Sequence, residues 1–348
     1  NNQASQTIKA SSEIKSVTIS GNKKTIDINM DNSSDTAGTD GSYYLFELKP
    51  YEGSIGARTD YLAKLSSGNV SHSVDLNLGM ENDRLYSSFV VAAYDGSKYV
   101  EVSNPHYITN PEAVAKNTKP FQDPLTKKGL NIEIHMLPDA FELGVKHVGT
   151  NIAFHQILGE GIDFNYDGKT YHFNKELIES YDKTISALSG KSMTVTAIVL
   201  NGFNPDRPEL FHNGNQKNDK AYYYMFNAES KEGFETTKAI AAFLAQRYDG
   251  SNPDHGKISN WVIGNEINNQ EWNYIGPRNL TSYIKSYEKA FRLFYTAIRS
   301  QSANDRVYYS IDFHWNNPKE KDGKLKYGGK EIVDSFNSEV MKKGNIDW

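Results

Sequence analysis

The 348-residue chain contains no cysteine, which excludes disulfides, thiol nucleophiles and thiolate metal sites but assigns no compartment by itself. No apolar run approaches the roughly 18 residues that a membrane span needs. A formal net charge of -5 comes without a basic tract, so the electrostatic footprint of a nucleic-acid binder is missing. Also missing are a GxxxxGKS-type phosphate loop, a GxGxxG between strand and helix, an HExxH and a G-x-S-x-G elbow. Nothing in the sequence calls for a nucleotide, a metal or another cofactor. The opening NNQASQTIKASSEIK lacks a hydrophobic targeting segment and suits the mature end of a processed protein. A secreted or cell-surface, extracellular location is the expectation.

What the chain does have is aromatic residues, with 22 Tyr, 16 Phe and 4 Trp making up 12% of it. Amphipathic rings suit sugar and peptide binding, although ordinary core and strand positions account for most tyrosines. The length allows two domains or one large barrel.

From Ile14 to Ile108 short alternating runs are separated by Gly, Asn, Asp and Ser. VTISGNKKTIDINM predicts two strands around a Gly-Asn turn, YYLFELKPYE a third, VSHSVDLNL a fourth, and SSFVVAAYDGSKYVEVS a hairpin turning at Asp95-Gly96. This spacing predicts an all-β sandwich of immunoglobulin or fibronectin type over residues 14–115, after a flexible N-terminus at 1–13. The Asn- and Pro-rich run SNPHYITNPEAVAKNTKPF marks the exit.

Residues 116–348 change to alternating strand and helix signals. Strands are expected at Gly129–His135, Lys146–His155, Met193–Gly202, Ile258–Glu266 and Arg306–Trp315. Helices are expected at Lys175–Leu188 with Asn174 as N-cap, around Ile240 to Arg247, at Leu280–Ile298, and through GKEIVDSFNSEVMKKG, before NIDW opens a sixth strand. Such alternation predicts parallel strands with crossover helices, in a doubly wound sheet or a (β/α)8 barrel of TIM type. A complete barrel has eight strands, so the expectation is a barrel truncated after the start of its sixth.

Asp163, Asn165, Asp167 and Gly168 imitate half of an EF-hand loop, but its twelfth position is Asn174 rather than glutamate. A hairpin turning at Asp167-Gly168 explains the letters better, pairing Tyr166 with Lys169, Phe164 with Tyr171 and Ile162 with Phe173.

Barrel active sites gather at strand C-terminal ends. His135, His155, Asn201, Glu266 and His314 all end predicted strands, and Asn151 shares a face with His155. On the fifth strand Val307, Tyr309, Ile311 and Phe313 form an apolar face, leaving Tyr308, Ser310, Asp312 and His314 opposite. Trp272 and Trp315 lie just beyond strand ends, where an indole can stack on a pyranose ring or simply anchor a loop.

ISNWVIGNEINNQEW places Gly264-Asn265-Glu266 after an apolar fourth strand. In that context the chain resembles the clan A glycoside hydrolases, retaining barrel enzymes whose fourth strand ends in Asn-Glu. With its β-sandwich it also resembles an uncharacterised family of secreted bacterial proteins near that clan. The resemblance implies Glu266 as acid/base, Asn265 as partner of the sugar 2-hydroxyl, and a carbohydrate substrate met by His135, Asn151, His155, Asn201, Trp272, His314 and Trp315. It departs in two places. HVGTNIAFHQ lacks the arginine many members carry on the second strand, so His155 or Asn151 must serve. The nucleophile belongs on a seventh strand, and no residue here is assigned to it; the missing C-terminal part of the barrel would be its source. The expected function is a retaining glycoside hydrolase acting on an extracellular polysaccharide or glycan. The alternatives are a non-catalytic carbohydrate-binding or cell-surface protein on the same scaffold, and a purely structural Glu266 paired to a buried cation or to backbone donors.

Overall fold

The computed structural model describes residues 9–34, 38–212, 214, 216–316 and 322–348; of the expected flexible N-terminus, residues 1–8 lie outside this set. The chain divides into one unit of Asn1–Val114 with Ser338–Ile346 and another of Ala115–Asn337 with Asp347–Trp348.

The first unit contains antiparallel sheets. β1 (Ser12–Ile19), β2 (Thr25–Asn32) and β5 (Gly68–Asp75) form one, and β4 (Ala63–Leu65), β3 (Tyr43–Leu48), β6 (Ser88–Tyr94) and β7 (Tyr99–Glu101) form the other, with β8 (His106–Tyr107) on β6. The expected strands are all present, whereas β4 and β8 are too short to leave a pattern. Alternation along β1 and β2 buries Val17, Ile19, Ile26, Ile28 and Met30, which share a core with Tyr43, Leu45, Phe89 and Val91.

The second unit is built on a parallel sheet of β9 (Gly129–Asn131), β10 (His147–Ala153), β13 (Thr194–Leu200), β14 (Asn260–Ile263) and β15 (Arg306–Tyr308). Neighbours in the sheet follow the order of the chain, as in the wall of a barrel and unlike a doubly wound sheet, whose order reverses. Its helices are α1 (Leu137–Glu142), α2 (Lys175–Ser189), α3 (Lys231–Arg247), α4 (Leu280–Arg299) and α5 (Gly329–Lys343). Each of α2, α3 and α4 starts at a side chain that accepts a backbone N–H: Asn174 from Leu177, Ser230 from Gly233 and Asn279 from Ser282. α4 buries Tyr283, Ile284, Tyr287, Phe291, Phe294 and Ile298. Among the described residues no helix is long and apolar enough to cross a membrane.

The segment between β10 and α2 is the expected hairpin. β11 (Gly161–Tyr166) and β12 (Lys169–Asn174) pair Ile162 with Phe173, Phe164 with Tyr171 and Tyr166 with Lys169. Lys238 of α3 binds the Asp167 carboxylate at the turn, and Lys169 reaches Glu235 at 2.5 Å.

The strands stop short of their expected ends. β9 leaves the sheet after Asn131 because Ile134 has no core to enter and is exposed; the Met136 N–H then closes a turn onto the Glu133 carbonyl. β15 ends at Tyr308, and Phe313, expected on an apolar face, is 88% exposed while Val307 is buried. Beyond Tyr308, Ser310 and Asp312 bind Glu266 and Asn268, in the segment after β14, partly through their side chains, which explains why alternation outlasts the ladder.

Candidate active site at the strand ends

Glu266 lies three residues past β14, in a backbone no ordinary strand end produces. Gly264 and Glu266 have φ of 80° and 41°, so the alternation of an extended strand is broken at both residues. A side chain at left-handed φ costs about 1–2 kcal/mol, and such strain persists only where its surroundings over-determine it. Here the clamps are visible. Tyr287 donates its hydroxyl to the Ile263 carbonyl and Tyr283, one turn earlier on α4, donates to that of Ile267, both at 2.6 Å. Between these anchors the Gly264 N–H reaches the Val199 carbonyl at 3.0 Å and the Glu266 N–H reaches Ser310 Oγ at 2.9 Å. Both phenols are buried, and burial pushes their pKa values up, so they remain donors.

Replacing Tyr287 by Phe strands a buried carbonyl. The expected cost is about 1–3 kcal/mol, read by urea denaturation, with a loss of whatever chemistry Glu266 performs.

The Glu266 carboxyl is half-buried and has no ion pair or hydrogen bond to another described residue. Among the described residues no Lys or Arg acts on it. Its pKa is raised by burial and next by the negative charge of Asp312, while His314 opposes. Asp312 is firmly held. Asn268 donates to its Oδ1 at 2.6 Å and accepts its backbone N–H at 2.8 Å, the His314 N–H donates to the same Oδ1 at 2.8 Å, and His314 Nδ1 lies 3.0 Å from Oδ2. Burial pushes the Asp312 pKa up, but these bonds outweigh it and hold the group below its usual value. A carboxylate at Nδ1 places a proton there and leaves Nε2 of His314 as the acceptor or second donor.

The other expected residues divide. His155 lies just beyond β10, where its Nδ1 accepts the Gly202 N–H at 2.9 Å, so the neutral ring carries its proton on Nε2. Burial lowers its pKa and favours that neutral form. A Cβ on Gly202 would sit 2.6 Å from the His155 ring, which is why the position needs glycine. His155 and Asn151 line a notch of about 290 Å³ with Glu133, Tyr181 and Tyr223. Asn265 is half-buried, with no hydrogen bond from its side chain to a described residue.

Two expectations change. His135 ends no strand; it is exposed in the turn before α1, 3.7 Å from Glu133. Asn201 is buried at the end of β13, where its amide donates to the Leu210 carbonyl at 3.2 Å and its Oδ1 has no hydrogen-bond partner among the described residues. His314 and Trp315 follow an irregular segment rather than a strand, with Trp315 45% exposed. Trp272 is overlaid by Tyr222, centroids 4.6 Å apart and planes 15° from parallel.

Sequence patterns missed Asn268, Tyr222, Tyr283 and Tyr287 as residues of the site. For the last two a signal existed, since phenols on an apolar helix face need acceptors.

A cavity of about 800 Å³ lies at the other end of the sheet, lined by residues that precede strands, including Lys146, Met193, Ser259 and Asp305. Its position at the strand N-termini is the face where barrels keep stability rather than chemistry.

Residues 120–348 match the family described as "Family of unknown function (DUF5722)". No curated protein matches the sequence. Similar solved structures include the β-glycosidase of the hyperthermophile Thermosphaera aggregans, at 12% identity over 52% of this chain and 43% of that one, TM-score 0.34. A family 1 β-glucosidase from Thermotoga maritima matches at 15% identity over 58% and 40%, TM-score 0.35. A Bacteroides ovatus GH5 xyloglucanase in complex with a XXXG heptasaccharide matches at 11% identity over 92% and 79%, TM-score 0.38. The chain spans about two fifths of the length of the first two. At these scores the likeness is loose and carries no functional weight.

Proposed function

Because the chain belongs to the DUF5722 family of unknown function, no activity comes with its membership, and we propose from its own residues that it is a retaining glycoside hydrolase with Glu266 as acid/base. One observation carries this: a carboxyl of raised pKa, with no hydrogen bond or ion pair to a described residue, on a strained backbone clamped by two buried tyrosines. A glycosidic oxygen is a poor leaving group and needs a proton as its bond breaks, so the acid must hold that proton near neutral pH. Burial and the charge of Asp312 act in that direction.

In this reading Asn265 meets the sugar 2-hydroxyl, while Asn151, His155, His314 and Trp315 contact the sugar. The substrate is an extracellular polysaccharide or glycan, the protein is exported, and the two units are a β-sandwich and a (β/α)8 barrel. Double displacement requires a second carboxylate about 5–5.5 Å from the first. Asp312 is committed to Asn268 and His314, and the nucleophile is assigned to no residue of this sequence.

The test uses protein expressed from its full reading frame, assayed for new reducing ends on a panel of soluble glycans, with proton NMR of the first-formed anomer. Hydrolysis with retained configuration is expected. Inversion would overturn the retaining mechanism, and binding without hydrolysis across the panel would favour a carbohydrate-binding protein.

A further inference from the structure

The loops after β13 and β14 present an aromatic surface that the acid/base reading does not use. Tyr222 is 65% exposed, unusual for a ring held in one orientation. Its place is set from both sides: its N–H donates to the Glu271 carbonyl at 2.7 Å, and its ring lies flat on Trp272. Tyr223 flanks the indole at 6.1 Å. The two loops are further stitched where the Met225 N–H donates to the Tyr274 carbonyl and the Tyr274 N–H to that of Tyr223, each at 2.9 Å. Trp272 thus backs Tyr222, and the opposite face of the phenol ring is offered outward on a rigid support.

The position of this surface follows from hydrogen bonds. The Asn269 N–H closes a turn on the Glu266 carbonyl at 2.9 Å, and the Trp272 N–H closes the next on that of Asn269 at 3.0 Å. Each such turn spans less than about 7 Å between its end Cα atoms, so two place Trp272 within about 14 Å of Glu266 along the backbone. That limit leaves room for a further sugar unit of the same chain.

We propose that Tyr222, backed by Trp272, is a stacking subsite for a pyranose ring of a polysaccharide whose cleaved bond lies at Glu266. A flat ring with a free face complements the axial C–H face of a pyranose, and the rim is polar: Glu271 is paired with Lys326 at 2.9 Å. The substrate in this reading is a polymer rather than a short glycoside. This inference rests on the glycosidase reading for its direction, yet it can fail or stand separately.

The experiment combines affinity electrophoresis of the full-length Glu266→Gln protein with kinetics of the wild type. Gels carry soluble mixed-linkage β-glucan, xylan, galactomannan or α-glucan, and kinetics use oligosaccharides of increasing length from the one that binds. Added to Glu266→Gln, Tyr222→Ala is expected to weaken retardation by roughly tenfold, the scale of one aromatic contact, and Tyr222→Phe, which keeps the stack, to restore it. In the active protein Tyr222→Ala raises KM more than it lowers kcat, by a factor that grows with chain length. Thermal melting identifies a variant that has unfolded; for this case Trp272→Phe, which keeps a ring behind Tyr222, gives intermediate retardation. Retardation that depends on Tyr222 without any hydrolysis leaves the subsite standing and overturns the glycosidase. Hydrolysis that ignores Tyr222 at every length leaves the enzyme standing and overturns the subsite. If no polysaccharide retards the protein, the subsite is overturned.

Discussion

Glu266→Gln is expected to lower kcat by at least about 10²–10⁴-fold, the contribution of a positioned general acid, with no loss of fold. The carboxyl can be removed safely because it bonds to no other described side chain. Glu266→Gly goes further. A glutamate at φ 41° carries a left-handed penalty that glycine escapes, and after glycine's own entropy cost the variant is expected to gain up to about 1 kcal/mol. A protein that becomes more stable as it loses all turnover would show that the position is kept for chemistry. Equal or lower stability by urea denaturation would mean that Tyr283 and Tyr287 hold a loop the side chain itself does not strain.

Asp312 offers the second large effect, with two readouts of defined sign. In the protonated-acid mechanism the alkaline limb of the pH–rate profile follows the Glu266 pKa. Asp312 raises that pKa and His314 lowers it, so Asp312→Asn moves the limb to lower pH and His314→Gln moves it to higher pH. Movement in the same direction for both would refute the assignment. Stability gives the other readout. The Asp312 pKa is depressed in the folded protein, so its contribution is present above the unfolded value near 4 and lost as pH falls through the folded one. Asp312→Ala, which leaves Asn268 and the His314 N–H without their acceptor, is expected to cost roughly 3 kcal/mol at pH 7 and much less near pH 2.

Local pattern carried the hairpin and the helices. Asp167-Gly168 supplies positive φ at both turn positions, so register followed from the turn and every pair in β11–β12 from register. Asn174 caps α2 because its own extended backbone lets its amide oxygen reach the Leu177 N–H. The strand ends were less legible. Alternation persists through Ile311 and Phe313, but pairing with β14 stops at Tyr308, since the next contacts run through the side chains of Ser310 and Asp312. His135 was misplaced because IEIH alternates like a strand, although only Ile132 is buried. The candidate site was legible as one glutamate. Its surroundings depend on the height at which α4 packs, which decides whether Tyr283 and Tyr287 meet carbonyls or core, and no spacing within α4 encodes that.

The sheet order bears on how the chain is made. Since β9, β10, β13, β14 and β15 pair in the sequence of their synthesis, each strand meets a finished edge as it emerges. No strand has to wait for a distant partner and then be inserted between two others. Growth at one edge keeps the loop to be closed at each step short relative to the whole chain, and a half-made sheet exposes one unpaired edge at its growing side for the time the next helix takes to dock. A ribosome delivering this sequence would thus release a wall assembled course by course, with the Glu266 turn formed only when α4 arrives to lock it.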